Sequence, residues 1–315
     1  MPEKFLQQGE YHLPVLAAAV VEYLVTPQAR VIVDATIGDG GHSLALLQAG
    51  NSKLKIIGLD TDPNSLAVAQ QRLAAYKTRC SFSHGNFRHI TSLLTARGSP
   101  AIDGVLADLG LSSRQIDLPE RGLSYLEEGP LDLRLNPFLS QTAAELLAAL
   151  EQDELVRLLR DYGEEQRARA IARAVIHKRR SRAIATTTDL RRIIEGVVRG
   201  PLQVKSVARV FQALRIAVND ELGALQDFLP QAFALLQPGG HLAVISYHSL
   251  EDRIVKQYFR ELAKTCTCPP ELPICICGKE SQAMVLTSKP MAPAADEIKH
   301  NRRARSAKLR VLQKR

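Results

Sequence analysis

Short apolar runs alternate with amphipathic stretches through the first hundred residues. Val31-Ile32-Val33-Asp34 is apolar enough for a strand covered on both faces, and a glycine-rich loop follows it. His42 to Ala49 has helical patterning, with Gly50 as its C-terminal stop. Lys55 to Asp60 is a second apolar strand; Asp62 then suits a helix N-cap, with Pro63 at the first helical position. Cys80 to Ser83 is a weaker third strand and Gly104 to Asp108 a stronger fourth. Strand and helix in alternation predict an α/β fold, a doubly wound parallel sheet with helices on both faces.

The rhythm breaks after that. From Arg114 to about Ala208 no strand pattern recurs; glycine, proline and charge crowd 119–137, and helical patterns rich in Arg and Ala follow. Phe211, Leu214, Val218, Leu222 and Leu225 then form one apolar stripe at helical spacing. Gln237 to Gly240 suits a turn, and Leu242 to Ser246 a further buried strand. The expected organisation is a sheet domain in two parts, 1–113 and 209–315, interrupted by an all-helical insertion at 114–208 and ending in a basic C-terminal tail.

Composition supports a real core, at 45% apolar residues, and no run is long enough for a membrane span. Met1 to Gly9 lacks the basic and apolar regions of a secretory signal, so a cytoplasmic location is expected, with the five cysteines as thiols or metal ligands. Net charge is +8, unevenly spread: 157–215 holds 15 Lys or Arg against 5 Asp or Glu, and 299–315 holds 8 against none. Such clustering points to a polyanionic partner, and otherwise to a solvated helical face and a frayed end.

The loop after the first strand reads Asp34-Ala35-Thr36-Ile37-Gly38-Asp39-Gly40-Gly41-His42. Glycines there allow a sharp turn and close approach of a ligand. Asp60, about 20 residues beyond, can accept both hydroxyls of a ribose. Dinucleotide-binding proteins share this layout. Two details favour S-adenosylmethionine: Ser43 stands where a third glycine would be, and Asp34 can meet a cationic amino group. Asp108 ends the fourth strand, so three carboxylates share the rim where open α/β sheets bind ligands.

These residues belong to a longer series: His12-Leu13-Pro14-Val15-Leu16, Gly40-Gly41-His42-Ser43, Gly58-Leu59-Asp60-Thr61-Asp62-Pro63, Asp103-Gly104 through Ser112-Ser113, Arg121-Gly122-Leu123-Ser124, Gly129 to Arg134, Tyr162-Gly163-Glu164-Glu165, 211–222, 245–256 and 304–310. The series resembles the ribosomal RNA small subunit methyltransferase H family over nearly the whole chain. The resemblance implies a class I (Rossmann-like) methyltransferase fold with an inserted helical substrate domain. It implies S-adenosylmethionine-dependent methylation of N4 of a cytosine, resembling cytosine 1402, in 16S rRNA of the small ribosomal subunit. Expected cofactor contacts are Gly40, Gly41, His42, Asp60, Phe87, Asp108 and Gln115, with the Phe87 ring against adenine. The family's tail usually reads Asn-Pro-Arg-Ala-Arg-Ser, whereas Arg302 follows Asn301 here.

Asp108 is the expected catalytic acceptor for the amine, because an exocyclic nitrogen with a delocalised lone pair needs alignment and an oxygen partner rather than a covalent nucleophile. Arg215, Asn219 and His248 are candidate substrate contacts; Ser249 with Asp252 also suits a helix N-cap pair. Carbon-5 methylation would need a cysteine, and Cys268 sits in a Cys-rich loop away from any strand end. Cys266, Cys268, Cys275 and Cys277 could bind zinc, although C-x-C is a less usual spacing than C-x2-C, and a metal-free loop is the expectation. Intact Gly40, Gly41, His42, Asp60 and Asp108 argue against a non-catalytic RNA-binding factor, whereas a DNA or protein substrate stays open from the residues alone.

Overall fold

The computed structural model describes residues 13–96, 98, 101–269 and 276–315. Contacts divide the chain into two compact units, Met1–Gly110 with Ala224–Arg315, and Leu111–Gly223. His12 lies outside the described residues.

The first unit begins with α1 (Ala17–Leu24), β1 (Val31–Asp34), α2 (Gly41–Ala49), β2 (Lys55–Asp60), α3 (Pro63–Arg72), β3 (Cys80–His84), α4 (Ile90–Thr95) and β4 (Ile102–Asp108). The second contributes α5 (Ser113–Asp117), α6 (Ala143–Ala149), α7 (Gln152–Asp161), α8 (Ala168–Arg179), α9 (Thr187–Val197) and α10 (Gln203–Asn219). The chain then runs through α11 (Glu221–Leu235), β5 (Leu236–Ser246), α12 (Ser249–Ala263), β6 (Ala283–Val285), α13 (Ala295–His300) and β7 (Lys308–Lys314).

The strands form one sheet in the order β3-β2-β1-β4-β5-β7-β6. The first five are parallel, whereas β7 runs antiparallel to both β5 and β6. Strand side chains alternate between faces, and both faces are buried here. Ile32, Ile56 and Leu106 enter one core with Val20, Leu24 and Leu46 of α1 and α2. Val33, Ile57 and Val105 enter the other with Phe228 of α11 and Phe259 of α12. That is why these strands read as unbroken apolar runs. Burial of each such side chain contributes roughly 1.5–3 kcal/mol.

The second unit has a helical core of its own, including Leu155, Ile171, Leu190, Ile194 and Phe211. Capping boxes, Thr142 with Glu145 and Thr186 with Asp189, start α6 and α9. Arg179 ends α8 by donating to the carbonyls of Leu147 and Leu150, both at 2.6 Å.

Several expectations change. The apolar stripe from Phe211 to Leu225 is two helices, because Asp220 adopts a left-handed backbone (φ 48°) between α10 and α11. The expected insertion boundary at 208 falls inside α10, all of which belongs to the second unit. Gln237 to Gly240 is not a free turn: β5 starts at Leu236, opposite Ile102, and regains register at His241 opposite Gly104. The basic tail includes a sheet strand. Leu309, Val311 and Leu312 are fully buried. The buried Arg310 pairs with Asp252 at 2.6 Å, with Lys308 at 3.5 Å from the same carboxylate. Asp252 is therefore not the capping partner of Ser249; α12 is capped by His248 with Glu251.

Candidate active site

Three neighbouring parallel strands end in carboxylates: Asp60 on β2, Asp34 on β1 and Asp108 on β4. Tyr247 follows the end of β5, the next strand. Strand pairing fixes these positions more firmly than loops would.

Asp34 is buried, and its Oδ2 accepts from the Ser43 hydroxyl at 2.7 Å. Its Oδ1 is equally buried and has no partner. An unpaired buried carboxylate oxygen is costly unless a ligand completes it. Burial pushes this carboxyl up, against the opposing pull of His42. Asp60 accepts from the Gly38 N–H through Oδ2 and the Asp62 N–H through Oδ1, each at 2.8 Å. One lone pair per oxygen stays available. Burial pushes Asp60 up to about 6, with Asp62 and Asp34 adding repulsion and the two N–H donors opposing.

The loop between β1 and α2 is shaped by glycine. Gly40, the N-cap of α2, has φ 78°, and the cap supplies no side-chain acceptor to the helix amides. Gly58 on β2 leaves space for Ile37: a Cβ there would meet Ile37 Cδ1 at 2.2 Å. Ile37 is held by its N–H to the Leu59 carbonyl at 2.9 Å, which draws the loop over β2.

Asp108 is fixed from three sides. Its N–H donates to Thr36 Oγ1 at 2.7 Å. The Tyr247 hydroxyl donates to Oδ1 at 2.9 Å. His42 Nε2 lies 3.4 Å from Oδ2. Burial first, then the Asp108 charge, pushes the Tyr247 hydroxyl far up, so it stays a protonated donor. Sequence patterning did not single out Tyr247 or Thr36. Their only signal is position, directly after a parallel strand, and a tyrosine there also suits core packing.

The other expected residues have varied surroundings. Phe87 opens a 3-10 turn capped by Asn86 and packs edge-on against Phe228, ring centroids 5.0 Å apart, while remaining half-buried. Gln115 lies in the second unit, where its carbonyl oxygen accepts from the Ser112 N–H as half of a capping box. Arg215 forms a two-pronged ion pair with Glu221 at 2.8 and 2.9 Å. Asn219 accepts from the Leu135 N–H and donates to the Leu133 and Arg215 carbonyls. These bonds give Arg215 and Asn219 structural tasks within the second unit. His248 caps α12 and lies 3.2 Å from Glu251 Oε1. Cys266, Cys268 and Cys277 come together in the α12–β6 connection. Cys275 lies outside the described residues.

A sheet of this order, with its glycine loop after the first strand and acidic groups along the carboxyl ends of the strands at the switch point, defines a Rossmann-like class I methyltransferase. The chain belongs to the MraW methylase family, whose model matches residues 9–315. It is 45% identical over 308 residues to the ribosomal RNA small subunit methyltransferase H of Heliobacterium mobile, covering 96% of this chain and 99% of that protein. Its identity to the protein of the same name from Geobacter sulfurreducens is 45% over 306 residues, 96% of this chain and 98% of that protein. With the crystal structure of TrmN from Thermus thermophilus it shares 13% identity at a TM-score of 0.43, over 95% of this chain and 48% of that one. Among the described residues no helix is long and apolar enough to cross a membrane.

The methyl donor of this enzyme class is S-adenosylmethionine. The residues present fit it. Its sulfonium and ammonium are cationic, and the strand ends offer Asp34, Asp60 and Asp108 with a buried Asp34 oxygen unpaired.

Proposed function

We propose that this protein methylates N4 of a cytosine, resembling cytosine 1402, in 16S rRNA of the small ribosomal subunit, acting in the cytoplasm. The observation that carries the reading is Asp108: a carboxylate on a rigid strand end, its backbone N–H held by Thr36, its Oδ1 held by the Tyr247 hydroxyl and its Oδ2 near His42. The names of the two relatives, which specify small subunit ribosomal RNA, support the substrate class.

When bound, S-adenosylmethionine supplies an electrophilic methyl on its sulfonium. Asp34 Oδ1 would hold the ammonium, and the uncapped amides at the start of α2, beside Gly40, Gly41 and His42, would hold the carboxylate. The two remaining lone pairs of Asp60 would accept the ribose hydroxyls, and the exposed part of Phe87 would cover the adenine. The target base is unstacked from the RNA to bring its amine in line with the methyl. Asp108 accepts an N–H of that amine, which draws the nitrogen lone pair out of the ring and stabilises the developing positive charge. The released proton passes to Asp108 Oδ2, the oxygen that faces His42.

A carbon-5 route is disfavoured by the cysteines. Cys80 opens β3, at the opposite end of that strand from the rim, and burial pushes its thiol up to about 11. A nucleophilic thiolate needs the reverse.

The exposed arginines of the second unit supply the RNA contacts. Arg169, Arg173 and Arg180 recur at helical spacing along α8 and its C-cap, and all three are exposed. The test is methyl transfer from labelled S-adenosylmethionine to small-subunit particles, naked 16S rRNA, DNA and protein, with the product nucleoside identified by mass spectrometry. Label recovered as N4-methylcytosine in 16S rRNA is the expected result. Label confined to DNA or protein, or found on carbon 5, would overturn it.

A further inference from the structure

The connection between α12 and β6 carries a cluster of sulfurs that the methyl-transfer reading does not use. The Sγ atoms of Cys266, Cys268 and Cys277 all lie within 4.8 Å of one another. Cys266 and Cys277 are 3.8 Å apart, Sγ to Sγ. A disulfide would need about 2.05 Å. Tetrahedral zinc, with bonds of about 2.3 Å, sets its sulfur ligands about 3.8 Å apart. The observed separation is far too long for a disulfide and matches the edge of a zinc–thiolate tetrahedron.

The backbone around the sulfurs supplies a second, independent indication. The Cys268 N–H donates to Cys266 Sγ at 3.3 Å, the Thr267 N–H to Cys277 Sγ at 3.4 Å, and the Ile276 N–H to Cys268 Sγ at 3.4 Å. Each of the three sulfurs therefore receives one amide. Amide donors to sulfur are the outer contacts that orient metal ligands. The C-x-C spacing of Cys266 and Cys268 does not prevent convergence, since the turn between them aims the second residue's N–H at the first residue's sulfur.

We propose that Cys266, Cys268 and Cys277 form a structural zinc(II) site that clamps the α12–β6 connection. A closed zinc site takes four donors, of which the described residues supply three. The bound ion has no part in methyl transfer.

The experiment uses the full chain, untagged and purified without chelator. Elemental analysis should find about one zinc per chain. Replacement by cobalt(II) should give intense visible d–d bands of a tetrahedral ion and a thiolate-to-cobalt charge-transfer band in the near ultraviolet. The double variant Cys266→Ser/Cys277→Ser should lose both the metal and the bands while still binding S-adenosylhomocysteine. In the parent protein, thiol alkylation at these positions should be slow until a chelator is added, a readout that needs no variant to fold. Substoichiometric metal after incubation with zinc, cobalt spectra without thiolate charge transfer, or alkylation indifferent to chelator would each overturn the proposal.

Discussion

Acidification from about pH 7.5 to about pH 5 should weaken cofactor binding roughly tenfold through Asp60 alone. The group sits near 6 because burial disfavours its charge, with Asp62 and Asp34 adding repulsion and two backbone N–H groups opposing both. A ribose hydroxyl donates more strongly to an ionised carboxylate than to a neutral one. Binding therefore favours the deprotonated group. Affinity is full above the free-protein value and falls as pH drops through it. With that value near 6, about nine-tenths of the molecules carry the proton at about pH 5, which corresponds to about 1.4 kcal/mol of lost affinity. Calorimetric titration with S-adenosylhomocysteine across this range measures it. Asp34 is also pushed up by burial, so the parent protein's affinity alone does not isolate Asp60. The diagnostic is therefore the difference between parent and Asp60→Asn, which keeps an acceptor oxygen but cannot titrate. The variant should bind more weakly at neutral pH and lose about tenfold less on acidification. If both proteins lose affinity by the same factor, Asp60 does not hold the ribose.

Reversing Arg169, Arg173 and Arg180 to Glu should weaken binding of a 16S rRNA fragment and flatten its log–log salt dependence by roughly 2–3. Cofactor affinity should not change, and an unchanged salt slope would mean that the phosphates are held elsewhere. Arg310→Ala should destabilise the first unit by about 1.5–3 kcal/mol in urea unfolding, because it removes the charged hydrogen bond to Asp252 and leaves only Lys308, 3.5 Å away, on that carboxylate. Burial pushes Asp252 up, but the Arg310 hydrogen bond and charge, joined by Lys308, outweigh it and hold the group low. That contribution is present above the ordinary carboxylate range and lost as pH falls through the lowered value, so the gap between parent and variant should shrink in acid. A gap below about 1 kcal/mol at neutral pH would refute the buried pairing.

The strands that carry the site were legible because they are buried on both faces: β1, β2 and β4 read as apolar runs ending in Asp. Their shared rim followed from parallel order alone. β7 was not legible. Lys308-Leu309-Arg310-Val311-Leu312-Gln313-Lys314 reads as part of a charged tail, and only the structure reveals that Arg310 is buried on Asp252. Charge counting could not rank individual cations for a related reason. Within the basic stretch 157–215, Arg179 closes on the carbonyls of Leu147 and Leu150, and Arg191 on those of Tyr125 and Leu126. Counting cannot separate a cation spent on carbonyls from one left in solvent. Tyr247 was passed over because an aromatic residue beside a buried strand looks like core, and its hydroxyl partner is 139 positions away in sequence.

The central claim is that Asp108 activates the amine. Single-turnover methylation of cytosine N4 at saturating S-adenosylmethionine tests it most directly, because any part Asp108 plays in cofactor binding is then removed from the rate. Asp108→Ala should slow the step by about 10²-fold or more, and Asp108→Asn, which keeps an acceptor oxygen, by less. A rate for Asp108→Ala close to that of the parent protein would contradict the account.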